Sequence, residues 1–164
     1  MTAYTITFTV PGPPGRKQRP RFANRGKFVQ TYTPKETQLY EAIVRQTFEV
    51  AAEAAGIDVP ITDYGSIRLL VIASYPIPKS WPKWRKEAAS NGVMPYTGRN
   101  DWDNLGKVVC DGLNGVAWID DAHICYGQVQ QLYGIQPRVW VRITYDPEVT
   151  RENCGRRNTE ENNA

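Results

Sequence analysis

From Ser66 to Ile77 the chain is rich in β-forming residues, and between Ile67 and Ala73 every position except Arg68 is apolar. A continuous run of that length reads as a central strand, covered on both faces and flanked by other strands. The rest of the chain must then supply its neighbours. Tyr4, Ile6, Phe8 and Val10 fall on one face of an alternating segment with threonines on the other, which predicts a half-buried strand. Further strands are expected at His123–Tyr133 and Arg138–Tyr145, joined through a turn at Gly134 as a closing hairpin.

Helices are expected between these strands. Thr33 can cap the first and Pro34 suits its first position, with Leu39, Ile43, Val44, Phe48 and Val50 as its apolar stripe before Gly56. Ser80–Asn91 has the pattern of a short amphipathic helix with Trp81 and Trp84 on one side. A third helix is expected in the Asp-rich stretch considered below. The segment PGPPGRKQRPRFANRGKF is expected to be irregular, because four prolines and three glycines break both helix and sheet. This order of elements favours a single α+β domain over residues 1–146, a mixed sheet with helices packed on one face. Residues 147–164 are polar, mixed in sign and aperiodic, and are expected to be a disordered tail.

Chemistry concentrates in Asn100–Asp121, NDWDNLGKVVCDGLNGVAWIDD, which holds five aspartates and one lysine. Carboxylates repel, so something must hold them together. On a continuous helix Asp101 and Asp103 would diverge by about 200°. They can share a ligand only if Asp101 lies in the non-helical lead-in, and Asn100 or Asp101 is a good N-cap for a helix through Leu105, Val108, Val109, Gly112 and Leu113. Lys107 and Asp111 follow Asp103 at i+4 and i+8, and Asp111 stands roughly 12 Å along the axis, too far to share its ion. The helix should stop near Asn114-Gly115. If Asp120-Asp121 is extended, its carboxylates face opposite ways, and spacing alone leaves open which of them points back. A set of carboxylates without histidine or thiolate suits Mg²⁺, with Mn²⁺ as a substitute, and Mg²⁺ completes its shell with water and phosphate oxygens. The same residues also fit a plainer description, a capping pair followed by an i,i+4 charge ladder and a turn.

The distribution of charge adds a second clue. Net charge is only +3, but Arg16, Lys17, Arg19, Arg21, Arg25 and Lys27 fall in one segment, with no acid between Met1 and Thr33. Arginine forks and lysine point charges presented this way suit phosphate contacts. Cys110, Cys125 and Cys154 are odd in number without paired spacing, which argues against a disulfide scaffold and against zinc. With no signal-like start and no run long enough to span a bilayer, a cytoplasmic protein is expected, with no membrane partner.

Three blocks, GPPGRKQRPRF, YTPKET and DWDNLGKVVCDGLNGVAWIDD, resemble the RusA family of Holliday-junction resolvases, and the resemblance runs from Tyr4 to Tyr145. It implies a catalytic set of Asp101, Asp103, Lys107 and Asp121; the three carboxylates are assigned as metal ligands, with Asn104, Asp111 and Asp120 in support and Asp111 or Asp120 open as an alternative ligand. It also implies Mg²⁺ dependence, a homodimer, a βαββαβ-type core, four-way junction DNA as partner and no small-molecule cofactor. Gly98-Arg99-Asn100 departs from the family, where many members carry lysine and proline, and Arg99 is assigned that charge beside the other basic residues. Two rivals remain, of which the four matching positions argue against the non-cleaving module alone. One is a nuclease for other branched DNA; the other is a module that binds junctions without cutting them.

Overall fold

The computed structural model describes residues 3–16, 21–25, 28–62 and 64–148. In chain order these form β1 (Tyr4–Pro11), β2 (Arg21–Arg25), β3 (Phe28–Tyr32), α1 (Lys35–Ala54), β4 (Ser66–Pro76), α2 (Lys83–Ser90) and α3 (Trp102–Leu113). One 3₁₀ turn at Asp121–His123 then leads into β5 (Ile124–Gly134) and β6 (Arg138–Asp146). The result is a single α+β domain with a mixed sheet. Its core order, β1–α1–β4–α2–α3–β5–β6, differs from the βαββαβ implied by resemblance, because both later helices precede the last two strands.

The sheet order is β1-β6-β4-β5, so the apolar run expected to be central is central. β6 is antiparallel to β1 and to β4, with Val141 opposite Phe8 on one side and Val71 on the other. β5 runs parallel to β4 and occupies the edge. The closing hairpin is therefore corrected: β5 and β6 are not partners but flank β4, which separates them. Parallel pairing requires a crossover, and α2 and α3 are that crossover. The Asp-rich helix is thus delivered directly to the start of β5.

Pleat alternation turns Ile6, Phe8 and Val10, then Ile67, Leu69, Val71 and Ala73, then Val139, Val141, Ile143 and Tyr145 into the core under the helices. The opposite sheet face carries Thr5, Thr7 and Thr9 and, at the start of β4, Arg68, whose guanidinium forks onto Asp146 at 2.9 Å for both contacts. α1 seats Phe48 edge-on against Phe8, ring centroids 5.8 Å apart. α1 and α3 cross at Gly112, where an added Cβ would lie 2.9 Å from the Glu41 carbonyl oxygen and 3.1 Å from Val44 Cβ. Only a glycine allows that approach.

Several local expectations need correction. The proline-rich segment is not wholly irregular, since β2 and β3 pair antiparallel from Arg21↔Tyr32 to Arg25↔Phe28. A two-residue connection containing Gly26 is a hairpin signal that the proline count obscured. α1 begins at Lys35 with Pro34 as its cap residue, and Thr33 lies one position too early to cap it. Its buried residues are Thr37, Val44, Phe48 and Ala52, whereas Leu39, Ile43 and Val50 face outward. α2 begins only at Lys83, because Pro82 takes the cap position, and Trp81 precedes it. Among the described residues no helix is long and apolar enough to cross a membrane. The tail from residue 149 onward lies outside the described residues.

Candidate active site

α3 presents its buried side, Leu105, Val108, Val109, Gly112 and Leu113, to the sheet and to α1. That leaves Asp103 and Lys107, one turn apart, exposed on the other side. Asp101 takes the N-cap position with extended backbone (φ −67°, ψ 133°) and lies outside the helix, as its offset from Asp103 requires. It makes no side-chain cap bond. Instead its Oδ2 accepts from Asn104 Nδ2 at 3.0 Å, which fixes the carboxylate from within the same turn. Asp103 lies in the first helical turn, where the positive end of the helix dipole favours a carboxylate.

The lead-in is held from below by an aromatic cluster. Gln131 Nε2 on β5 donates to Tyr75 Oη at 3.0 Å and to the Asn100 carbonyl at 3.3 Å. Tyr75 stacks on Tyr96 with centroids 4.0 Å apart, and Trp81 meets Tyr133 at 4.9 Å under the Arg85 guanidinium. Burial pushes the Tyr75 phenol up, and hydrogen bonds with the Asn100 and Gln131 side chains partly offset this. Asn100 is thereby tied to β4 and β5, and Asp101 follows it.

Asp121 reaches the same helix from the far end. α3 stops at Leu113; Gly115 then adopts φ +76°, and Ala117 N–H returns to the Leu113 carbonyl at 2.8 Å. The buried Tyr145 hydroxyl donates to the Ala117 carbonyl at 3.0 Å, and Ile119 N–H donates to Tyr64 Oη at 3.2 Å. These bonds set where the chain emerges. Asp120 is extended as expected (φ −147°, ψ 134°), but Asp121 is corrected to the first residue of a 3₁₀ turn that Asp120 caps, its Oδ1 accepting from Ala122 N–H at 2.9 Å. Asp120 is used as a cap, which leaves Asp121 for other work. Burial pushes the Cys110 thiol up to about 11, and the Asp121 and Asp111 carboxylates push it the same way. Cys110 continues the Asp103–Lys107 side of α3 at i+7.

Among the described residues no three carboxylate, thiolate or imidazole side chains lie close enough together to form a ready-made metal cage. The structure therefore brings Asp101 and Asp103 to one helix start and Asp121 to the 3₁₀ turn that follows the same helix, without drawing all three into one cluster among the described residues. Mg²⁺ does not require such a cage, since it binds through one or two carboxylates and keeps water and phosphate oxygens in its shell. The exposed, all-oxygen donor set of Asp101, Asp103 and Asp121 fits that ion.

Of the expected phosphate contacts, Arg16 lines a cleft of about 310 Å³ with Pro14, Gly15, Glu36, Tyr40 and Asn100. One cation of the basic segment thus stands across a cleft from the residue preceding Asp101. Arg99 is exposed in the bend before α3. Arg21 and Arg25 bound β2, and Lys17, Arg19 and Lys27 lie outside the described residues. Sequence reasoning missed Tyr64, Tyr75, Gln131 and Tyr145, which position the site by contacts across long sequence separations. It also missed Tyr40, whose ring lies against Gly15 so closely that a Cβ there has no room.

The family profile described as Endodeoxyribonuclease RusA matches residues 11–144. The "Uncharacterized protein YqaN" of Bacillus subtilis (strain 168) is 32% identical over 140 residues, covering 84% of this chain and 94% of the relative. The matched span contains the whole of α3, its aspartates and the positioning tyrosines up to Tyr133. By that match and by the placement of its Asp-rich helix, the chain belongs to the RusA family of endodeoxyribonucleases.

Proposed function

We propose that this protein resolves four-way DNA junctions as a homodimer, hydrolysing phosphodiester bonds in pairs near the crossover during recombination and repair. The observation that carries this reading is the arrangement about α3. A lysine lies one turn beyond an N-terminal aspartate, a second aspartate precedes the helix, and a third opens the 3₁₀ turn that follows it. Asp101, Asp103 and Asp121 would hold Mg²⁺, which Mn²⁺ would replace, and the bound ion would supply Lewis-acid activation and neutralise phosphate charge. Lys107 adds a fixed cation where negative charge grows on the phosphate. Asn104 restrains Asp101, and Asp120 holds the turn that aims Asp121. Asp111 flanks Lys107 from the next turn. Arg16, Arg99 and the remaining basic residues, Lys17, Arg19, Arg21, Arg25 and Lys27, serve phosphates on the arms, so binding should weaken steeply with salt.

Paired nicks in a two-fold junction call for two sites related by the same symmetry, as a C₂ dimer provides. The test is substitution of the carboxylates. Asp103→Asn and Asp121→Asn are each expected to bind junction DNA at least as tightly as the parent while losing cleavage in Mg²⁺. Cleavage at the parental rate in either variant would refute the assignment.

A further inference from the structure

A single exposed apolar side chain needs no explanation by itself. Trp102 differs because of where it stands. It is the first residue of α3 and 62% exposed, with Asp101 before it and Asp103 after it. At 100° per residue it falls within about 20° of Val109, 40° of Gly106 and 60° of Leu105, on the apolar side of the helix. Val109 and Leu105 are buried, and Gly106 rests so close to β5 that an added Cβ would lie 3.0 Å from Val129 Cγ2. The apolar side of α3 therefore continues one turn past the elements that cover it. Among the described residues the indole has no ring, guanidinium or hydrogen-bond partner.

Whatever covers Trp102 also stands over its neighbours, whose Cα atoms are only about 3.8 Å away. A protein seated on the ring would close off Asp101 and Asp103. DNA entering the site has to pass the ring instead. Arg99 is exposed three residues earlier, and Arg16 faces Asn100 across a cleft, so cations suited to phosphates border the same opening. An aromatic face set among such groups suits a nucleotide, whose base and phosphate need both. We propose that Trp102 stacks on the base beside the scissile phosphate and thereby selects branched DNA over duplex. This inference rests on the proposed function and deepens it.

The preference follows from which base faces are free. In continuous duplex each face is covered by the next pair, and a side chain must unstack a step to reach one. At a crossover two strands leave one helix for another, so stacking is interrupted at the branch. A ring waiting there gains a face without unstacking anything. Base–aromatic stacking corresponds to roughly tenfold or more in affinity for each base, and it needs a π face rather than apolar bulk alone. Trp102 is then a specificity-determining residue beside the carboxylates.

Fluorescence titration of the full chain tests it, with 2-aminopurine at the branch of a four-way junction and at the same position of a matched duplex. EDTA is present, so that binding is read without cleavage. Trp102→Ala and Trp102→Leu are each expected to weaken junction binding roughly tenfold and duplex binding by less than about twofold. Their junction complexes should be brighter than the parent's, in which the indole quenches the analogue, and Trp102→Phe should keep the preference for the junction. Circular dichroism and Tm should match the parent in all three, because the side chain lies outside the core. Undiminished junction binding by Trp102→Ala, an equal loss on duplex, or a Trp102→Leu as selective as the parent would each overturn the stacking role. The nuclease reading fails separately. A parent that quenches the analogue but cuts nothing in Mg²⁺ would refute that reading alone, and a Trp102→Ala that binds and cuts junctions as the parent does would refute the stacking role alone.

Discussion

The proposed roles of Lys107 and the aspartates around it differ with their position along α3. Under the proposed mechanism Lys107→Ala removes a cation from the growing charge on phosphate, so it is expected to lower turnover by about 10²–10³-fold while junction affinity changes far less. Equal losses in rate and affinity would make Lys107 a phosphate anchor only. The two adjacent aspartates should separate cleanly. Asp120→Ala loses a cap bond and should cost about 1 kcal/mol of stability while lowering cleavage far less than Asp121→Asn does, as urea denaturation and a cleavage assay would record. Cys110 reports on Asp121 independently of catalysis. Burial, then the Asp121 and Asp111 charges, hold its thiol near 11, so Asp121→Asn should lower that value and speed alkylation at fixed pH. Site-resolved mass spectrometry checks this, and an unchanged alkylation rate would mean that Asp121 does not act on that side of the helix.

At the scale of elements, the connection from α3 to β5 is a short loop fastened by a hydroxyl that comes from the last strand. Tyr145→Phe leaves the Ala117 carbonyl unpaired in the interior, which should cost about 1–3 kcal/mol and lower cleavage by displacing Asp121. Gly112→Ala pushes a methyl into the Glu41 carbonyl and Val44 and is expected to destabilise by about 1–3 kcal/mol through separation of α1 and α3. Thermal unfolding of both variants measures these effects, and a Gly112→Ala Tm equal to that of the parent would contradict the close crossing. Neither contact was legible in the sequence, because each joins residues far apart along the chain. What was legible is local: the alternation of Ile6, Phe8 and Val10, the central run of β4, and the offset that takes Asp101 out of α3. The edge position of β5 was hidden because β5 and β6 are consecutive and look like a hairpin, yet β4 takes both as neighbours. Leu39, Ile43 and Val50 were grouped with the buried Val44 and Phe48 in one apolar stripe for a related reason. Periodicity identifies an apolar face without saying which of two faces meets the sheet.

For the whole molecule, the buried phenols and thiol make stability sensitive to alkali. Burial holds Cys110 near 11 and Tyr40 near 12, and it raises Tyr145 as well, against ordinary values of 9.0 and 10.0. The unfolded chain loses these protons first as pH rises, so the folded state binds more of them and the free energy of unfolding falls. Their contribution is intact below pH 9 and declines above it, by up to about 1.4 kcal/mol per pH unit for each group. Urea denaturation from neutrality to pH 11 should show that decline, and a level profile would contradict it. If the Asp–Lys helix of this α+β domain acts on DNA phosphates as proposed, a four-way junction is cut in matched positions. The direct measurement is strand-specific mapping of nicks on labelled junction, flap and duplex DNA, in Mg²⁺ and in EDTA. The expected result is paired, symmetric nicks in the junction that require Mg²⁺, with little cutting of flap or duplex; tight junction binding without cleavage of any substrate would contradict it.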